Sequence, residues 1–187
     1  MGLSSALRMI KFNVASINTC TETEGPYKRL TIWFQGCNIH CKGCCNPDYQ
    51  AIVPKTILTL DELIAIIQKA KEQFGIEGVT YSGGEPTLQQ SLYLLTERIH
   101  GLGLGVISFT GRKFEEVNDI LGNCDIVLDG AYDESCPETD RKILGSSNQR
   151  IIAISSRYEK VLDWFYSTDK TIEVNLNKKI VFNGDHI

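Results

Sequence analysis

Apolar and polar positions along this chain follow two periods, one helical and one extended. Leu60, Leu63, Ile64, Ile67, Ala70 and Phe74 recur at the spacing of one helix face, which predicts a helix over 60–74. Thr59 and Glu62 form a capping box at its start, and Gly75 fits its C-terminal end. Short runs rich in β-formers lie between such stretches, at 30–35, 78–82, 104–110, 125–129 and 150–155. Further helices are predicted over 87–101, with Pro86 in the first turn, over 113–121, and around 158–165. Two last runs, 171–174 and 179–182, read as a hairpin around 175–178.

Strands that alternate with helices argue a parallel sheet with βαβ crossovers. The units are too few for a closed eightfold barrel. The expected fold is α/β: an incomplete (β/α) barrel, or an open, curved, mostly parallel sheet of about five or six strands flanked by helices. One domain is expected over 1–187, with its core at about 12–155 and a C-terminal helix and hairpin over 156–187. Residues 133–149 have no period and read as one long loop, which in a compact domain is often functional.

Composition narrows the class. With 187 residues, 42% hydrophobic and 22% charged, the chain is ordinary globular protein rather than disordered or fibrous. A formal net charge of −4 argues against a nucleic-acid partner. The pair Lys28–Arg29 reads as a solvated loop or a small-anion contact. No apolar run has the length of a membrane span, and the N-terminal residues lack an export-signal pattern, so a cytoplasmic protein is expected. There are seven cysteines, and four of them fall within 37–45. That count and that crowding favour metal ligation over a disulfide framework.

Cys37, Cys41 and Cys44 follow the first strand with the spacing C-x3-C-x2-C. Three thiolates leave one iron of a four-iron cube without a protein ligand, and an open iron can bind a substrate or cofactor. A zinc knuckle completed by His40 or Cys45 is the competing reading of the same residues. Other glycine-bearing turns also follow strands: Gly83-Gly84-Glu85, Thr110-Gly111-Arg112 and Asp129-Gly130. In a parallel sheet that edge is where ligands bind, so four such turns describe one site.

The cysteine spacing, followed by Gly-Gly-Glu after the next strand, resembles the radical S-adenosylmethionine superfamily. Glu24-Gly25-Pro26 and Cys44-Cys45-Asn46-Pro47-Asp48 resemble segments of its glycyl-radical-enzyme activating enzymes. Cys41-Lys42-Gly43-Cys44, Thr110-Gly111 and the run from Gly145 to Arg150 resemble the activators of anaerobic ribonucleotide reductase. The resemblance covers roughly 12–155 and implies a 4Fe–4S cluster on Cys37, Cys41 and Cys44, with S-adenosylmethionine chelating the fourth iron. It implies cofactor contacts from Gly43, Cys45, Gly83, Gly84, Glu85, Thr110 and Asp129. Glu85 either faces the methionyl ammonium or fixes its own loop. The implied partners are a flavodoxin-like electron donor and a large glycyl radical enzyme, foremost an anaerobic ribonucleoside-triphosphate reductase. The implied chemistry is reductive cleavage of the cofactor to a 5′-deoxyadenosyl radical, which takes a hydrogen atom from a glycine of that partner. Gly43, where many superfamily members carry an aromatic residue, is normal for those reductase activators. Cys45 stands where many activators carry Tyr or His, and Leu144 where an arginine often precedes Gly-Ser-Ser, with Arg141 the nearest candidate.

Two alternatives stand beside this reading. One is a radical enzyme acting on a small molecule or peptide, similar to 7-carboxy-7-deazaguanine synthase. The other is a non-catalytic metal module. Cys20, Cys124 and Cys136 read as buried or inert thiols. His40 reads as a solvated loop residue, and Trp33, Phe34, Tyr158, Trp164 and Phe165 as packing residues.

Overall fold

All six residues of strand β2 (Arg29–Phe34) are buried, as in a strand covered on both faces. A computed structural model describes residues 10–167, 171–175 and 181–184. In it β2 is central to a seven-stranded sheet made with β1 (Lys11–Thr21), β3 (Thr56–Thr59), β4 (Gly78–Gly83), β5 (Gly105–Thr110), β6 (Ile126–Asp129) and β7 (Arg150–Ala153). The order is β3-β1-β2-β4-β5-β6-β7. The β2-β4-β5-β6 pairs are parallel, and β1, β3 and β7 pair antiparallel at the two sides. This is the open α/β sheet the alternation predicts, parallel through its central strands, with two strands beyond the five runs predicted up to residue 155.

Those two are β1 and β3. β1 carries register shifts between Val14 and Ser16 and between Asn18 and Thr21, which break its period. β3 has no buried residue, so no apolar alternation marks it. β7 runs antiparallel because a loop, not a crossover helix, connects it to β6.

Helix α1 (Leu60–Phe74) forms as predicted, with the capping box of Thr59 and Glu62 made in both directions and Gly75 left-handed at φ 64°. Leu60, Leu63, Ile64, Ile67 and Ala70 are buried against the sheet. Each such large aliphatic side chain contributes about 1.5–3 kcal/mol relative to exposure. The second helix, α2 (Leu92–Gly101), starts five residues later than predicted. Pro86–Leu88 is instead one tight turn, because Glu85 accepts hydrogen bonds from the Thr87 N–H and hydroxyl, and Gln89 then leaves helical geometry. Helix α3 (Phe114–Leu121) follows β5. The C-terminal helix is a 3₁₀ segment, Ser156–Tyr166, interrupted at Val161. A separate antiparallel pair, β8 (Ile172–Asn175) and β9 (Val181–Gly184), matches the predicted hairpin. The turn between them lies outside the described residues.

The two faces of the sheet have different roles. Leu30, Ile32, Phe34, Val79, Tyr81 and Val106 pack under the helices. By strand alternation, Ile107, Ile126 and Leu128 face the other way, where Tyr158 and Phe165 cover them. Arg29 shares that second face and overturns the solvated reading of Lys28–Arg29. It is 0% exposed, and its guanidinium donates to Thr80 Oγ1 at 2.7 Å, the Val79 carbonyl at 2.8 Å and the Tyr158 hydroxyl at 2.9 Å. A fully bonded guanidinium is the kind a core tolerates. It seals the end of the sheet opposite the glycine turns.

Candidate metal and cofactor site

The carboxyl ends of β2 and β4 meet through main chain. The Gly84 N–H donates to the Phe34 carbonyl at 2.9 Å, and the Glu85 N–H donates to the Gly36 carbonyl at 2.8 Å. A Cβ on Gly84 would lie 2.1 Å from the Gly36 oxygen, so only glycine allows this approach. The cysteine loop is fastened at its exit as well: Gly36 and Cys37 donate to the carbonyls of Tyr49 and Gln50.

Cys37 is 9% exposed, while Cys41 and Cys44 are half-buried. Their sulfurs meet main-chain donors. The Ile39 N–H points to Cys37 Sγ at 3.5 Å and the Asn46 N–H to Cys44 Sγ at 3.4 Å. Desolvation raises the Cys41 thiol, with the Tyr132 main chain opposing it. N–H groups aimed at sulfur favour thiolate, the form that ligates iron. Cys45 as a residue is exposed, but its thiol lies against the cavity wall. Desolvation there, and then the neighbouring Cys44, push it up to about 11. Among the described residues no three His, Cys, Asp or Glu side chains are gathered to hold a single ion.

The three cysteines border a cavity of about 570 Å³ with Gly43, Cys45, Gly83, Gly84, Glu85 and Thr110. The structure thus brings together every predicted site residue except Asp129. The Asp129 carboxylate turns to the helix face, where it accepts the Phe114 N–H at 2.7 Å and the Arg150 guanidinium. Burial acts to raise its pKa, but those bonds outweigh burial and hold it below the usual carboxylate range. Its position on a strand end was legible, whereas the phase of that strand was not.

Glu85 is 1% exposed and joins two strand ends. Its Oε1 accepts from Thr87 and from the Thr110 hydroxyl, and its Oε2 accepts from the Gly111 N–H at 2.9 Å. Of the two roles considered for it, loop fixation is the one its bonds serve. Thr110 is likewise engaged, donating to Glu85 and accepting from the Arg112 N–H.

The aperiodic segment 133–149 forms the other cavity wall through Pro137, Glu138, Arg141 and Gly145. Gln149 organises it: Oε1 accepts from the Gly145 and Ser146 N–H groups, and Nε2 donates to the Gly130 carbonyl at 2.9 Å. Arg141 pairs with Glu138 and donates to the carbonyls of Ser147 and Gln149. Trp33, read as a packing residue, also lines the cavity, as do Ser82, Phe109 and Tyr132, which no motif marked. For the first three the alternation of their strands carried the signal. Tyr132 had none.

A family model described as "4Fe-4S single cluster domain" matches residues 23–152, a span that includes every residue lining the cavity. This chain belongs to that family. The donor set fits the group the family implies, since three thiols, two of them met by main-chain N–H donors, border a cavity large enough for a further ligand. Relatives point the same way. The anaerobic ribonucleoside-triphosphate reductase-activating protein of Enterobacteria phage T4 is 25% identical over 74% of this chain and 92% of its own length. The pyruvate formate-lyase-activating enzyme of Clostridium pasteurianum is 31% identical over 64% of this chain. That of Staphylococcus aureus (strain USA300) is 37% identical over 43%. The chain spans 52% and 34% of these two longer relatives. The solved structure "Crystal structure of QueE from Escherichia coli" aligns with 59% of this chain and 57% of its own, at 17% identity and a TM-score of 0.49. The cofactor that this family is described by is a single 4Fe–4S cluster. Among the described residues no helix is long and apolar enough to cross a membrane.

Proposed function

We propose that this protein generates a glycyl radical on a large partner enzyme, an anaerobic ribonucleoside-triphosphate reductase. Cys37, Cys41 and Cys44 hold three irons of the cluster, and the fourth iron is left to S-adenosylmethionine. With both groups bound there, the site would supply one-electron radical chemistry for taking a hydrogen atom from the partner's glycine. The chain itself binds, orients and shields. Gly83 and Gly84 present bare main chain to the methionyl end, and Gly43 and Cys45 present theirs to the adenine side. Glu85 and Thr110 act one step back, holding the turns that carry those groups, and Asp129 supports the α3 start instead of touching cofactor. A flavodoxin-like protein supplies the electron.

One observation carries the reading: three thiols and the Gly83-Gly84 turn border a single cavity at the carboxyl edge of the sheet. The partner assignment draws on the phage relative, 92% of whose length this chain covers. The test is anaerobic reconstitution, reduction with dithionite, and EPR with and without S-adenosylmethionine. A cluster signal that shifts on cofactor addition, release of 5′-deoxyadenosine, and a glycyl radical on added reductase are expected. Tight zinc, or a cluster indifferent to the cofactor, would overturn it. A cofactor response with no radical on the reductase would overturn the partner alone.

A further inference from the structure

Resting on the reading of Cys37, Cys41 and Cys44 as cluster ligands, we propose that Tyr132 is a positioning residue for the cysteine loop. Its ring clamps the segment between Cys41 and Cys44 against the loop of residues 133–149. Tyr132 stands at the root of that loop, half-buried and lining the cavity. A Cβ on Gly43 would lie 3.1 Å from its Cε1. One on Gly145 would lie 2.7 Å from its Cδ2 and 3.2 Å from its Cε2. The ring is therefore seated between two residues that have no side chain to displace it.

The Gly145 side of this clamp is fixed independently. Its N–H donates to Gln149 Oε1 at 2.8 Å, and Gln149 is tied to the Gly130 carbonyl. The cysteine side has weaker ties. Lys42 pairs with Glu134, and Arg112 donates to Asn38 Oδ1 at 2.8 Å, both among exposed side chains where such contacts contribute little. The Tyr132 main chain also reaches the Cys41 thiol. One residue thus meets the segment at two points, by ring at Gly43 and by main chain at Cys41. The ring contacts involve carbon atoms, so phenylalanine retains them and alanine does not.

The experiment compares wild type with Tyr132→Ala, Tyr132→Phe and Tyr132→Leu. Amide hydrogen exchange at residues 41–45 is measured on the cluster-free protein. Iron loss to a chelator and the cofactor-induced EPR shift are measured after reconstitution. Tyr132→Ala is expected to speed exchange and iron loss severalfold and to weaken the cofactor effect, while Tyr132→Phe matches wild type. The urea midpoint of each variant reports the sheet; should alanine lower it, the leucine variant is read instead. Unchanged exchange and iron retention in a folded variant would overturn the proposal. A wild type that binds no cluster would sink the cluster reading, and exchange in the cluster-free chain would still judge the clamp.

Discussion

Glu85 Oε1 accepts a hydrogen bond from the Thr110 hydroxyl at 2.8 Å, linking the ends of two parallel strands 25 residues apart. The same carboxylate serves Thr87 and Gly111, so both oxygens are engaged in a buried position. Glu85→Gln keeps the shape but replaces one acceptor with an NH2 group, leaving one buried donor unpaired. The expected loss is about 1–3 kcal/mol, read as a lower urea midpoint at unchanged m value. An unchanged midpoint would show that the carboxylate does not hold the turns.

Gly84 is a second point where the site depends on one atom's absence. An alanine Cβ there would meet the Gly36 oxygen at 2.1 Å and the Tyr49 oxygen at 2.8 Å, both main chain. Gly84→Ala is expected to cost at least about 1–3 kcal/mol, and to displace the cysteine loop outward. Thermal denaturation and iron content after reconstitution would both fall. Wild-type values for both would contradict the close approach.

The thiols of the loop are expected to separate by role. Cys37→Ala, Cys41→Ala and Cys44→Ala should each lose the oxygen-sensitive brown chromophore on reconstitution. Cys45→Ala should keep wild-type iron and sulfide. If Cys45→Ala loses metal as fully as the others, the site has four cysteine ligands and no open iron.

At the opposite end of the sheet, the Tyr158 hydroxyl accepts from Arg29 at 2.9 Å and donates to Glu77 at 2.5 Å. Desolvation is the main cause that pushes its pKa up to about 12, with Arg29 opposing and Glu77 adding to it. The folded value lies above the unfolded value of about 10, so this contribution is complete below the unfolded pKa and is lost as pH rises through the folded one. Tyr158→Phe is expected to cost about 1–3 kcal/mol near neutrality, by leaving Arg29 and Glu77 short of a partner. It should also flatten the alkaline fall in urea midpoint between about pH 10 and 12. An alkaline limb identical to wild type would assign that fall to other groups.

The chain's own order determined the local parts. Helix α1, its capping box and its left-handed Gly75 depend on residues within one or two turns of one another, and so were legible as pattern. The cysteine spacing and the glycine turns were legible for the same reason, as was the alternation that makes the central strands parallel. The tertiary structure alone decided the rest. β1 and β3 join the sheet through bulged or exposed pairing that leaves no clean period. Arg29 is buried because Thr80, Val79 and Tyr158 supply acceptors from distant segments. Asp129 turns from the cavity because a strand's side chains alternate, and only pairing with neighbours sets which face each one takes. Tyr132 meets Gly43 only once the cysteine loop and the loop between β6 and β7, which also carries Gly145, converge. Short-range geometry is written in neighbouring residues. Which distant surfaces touch is settled by register and packing, where each contact depends on all the others.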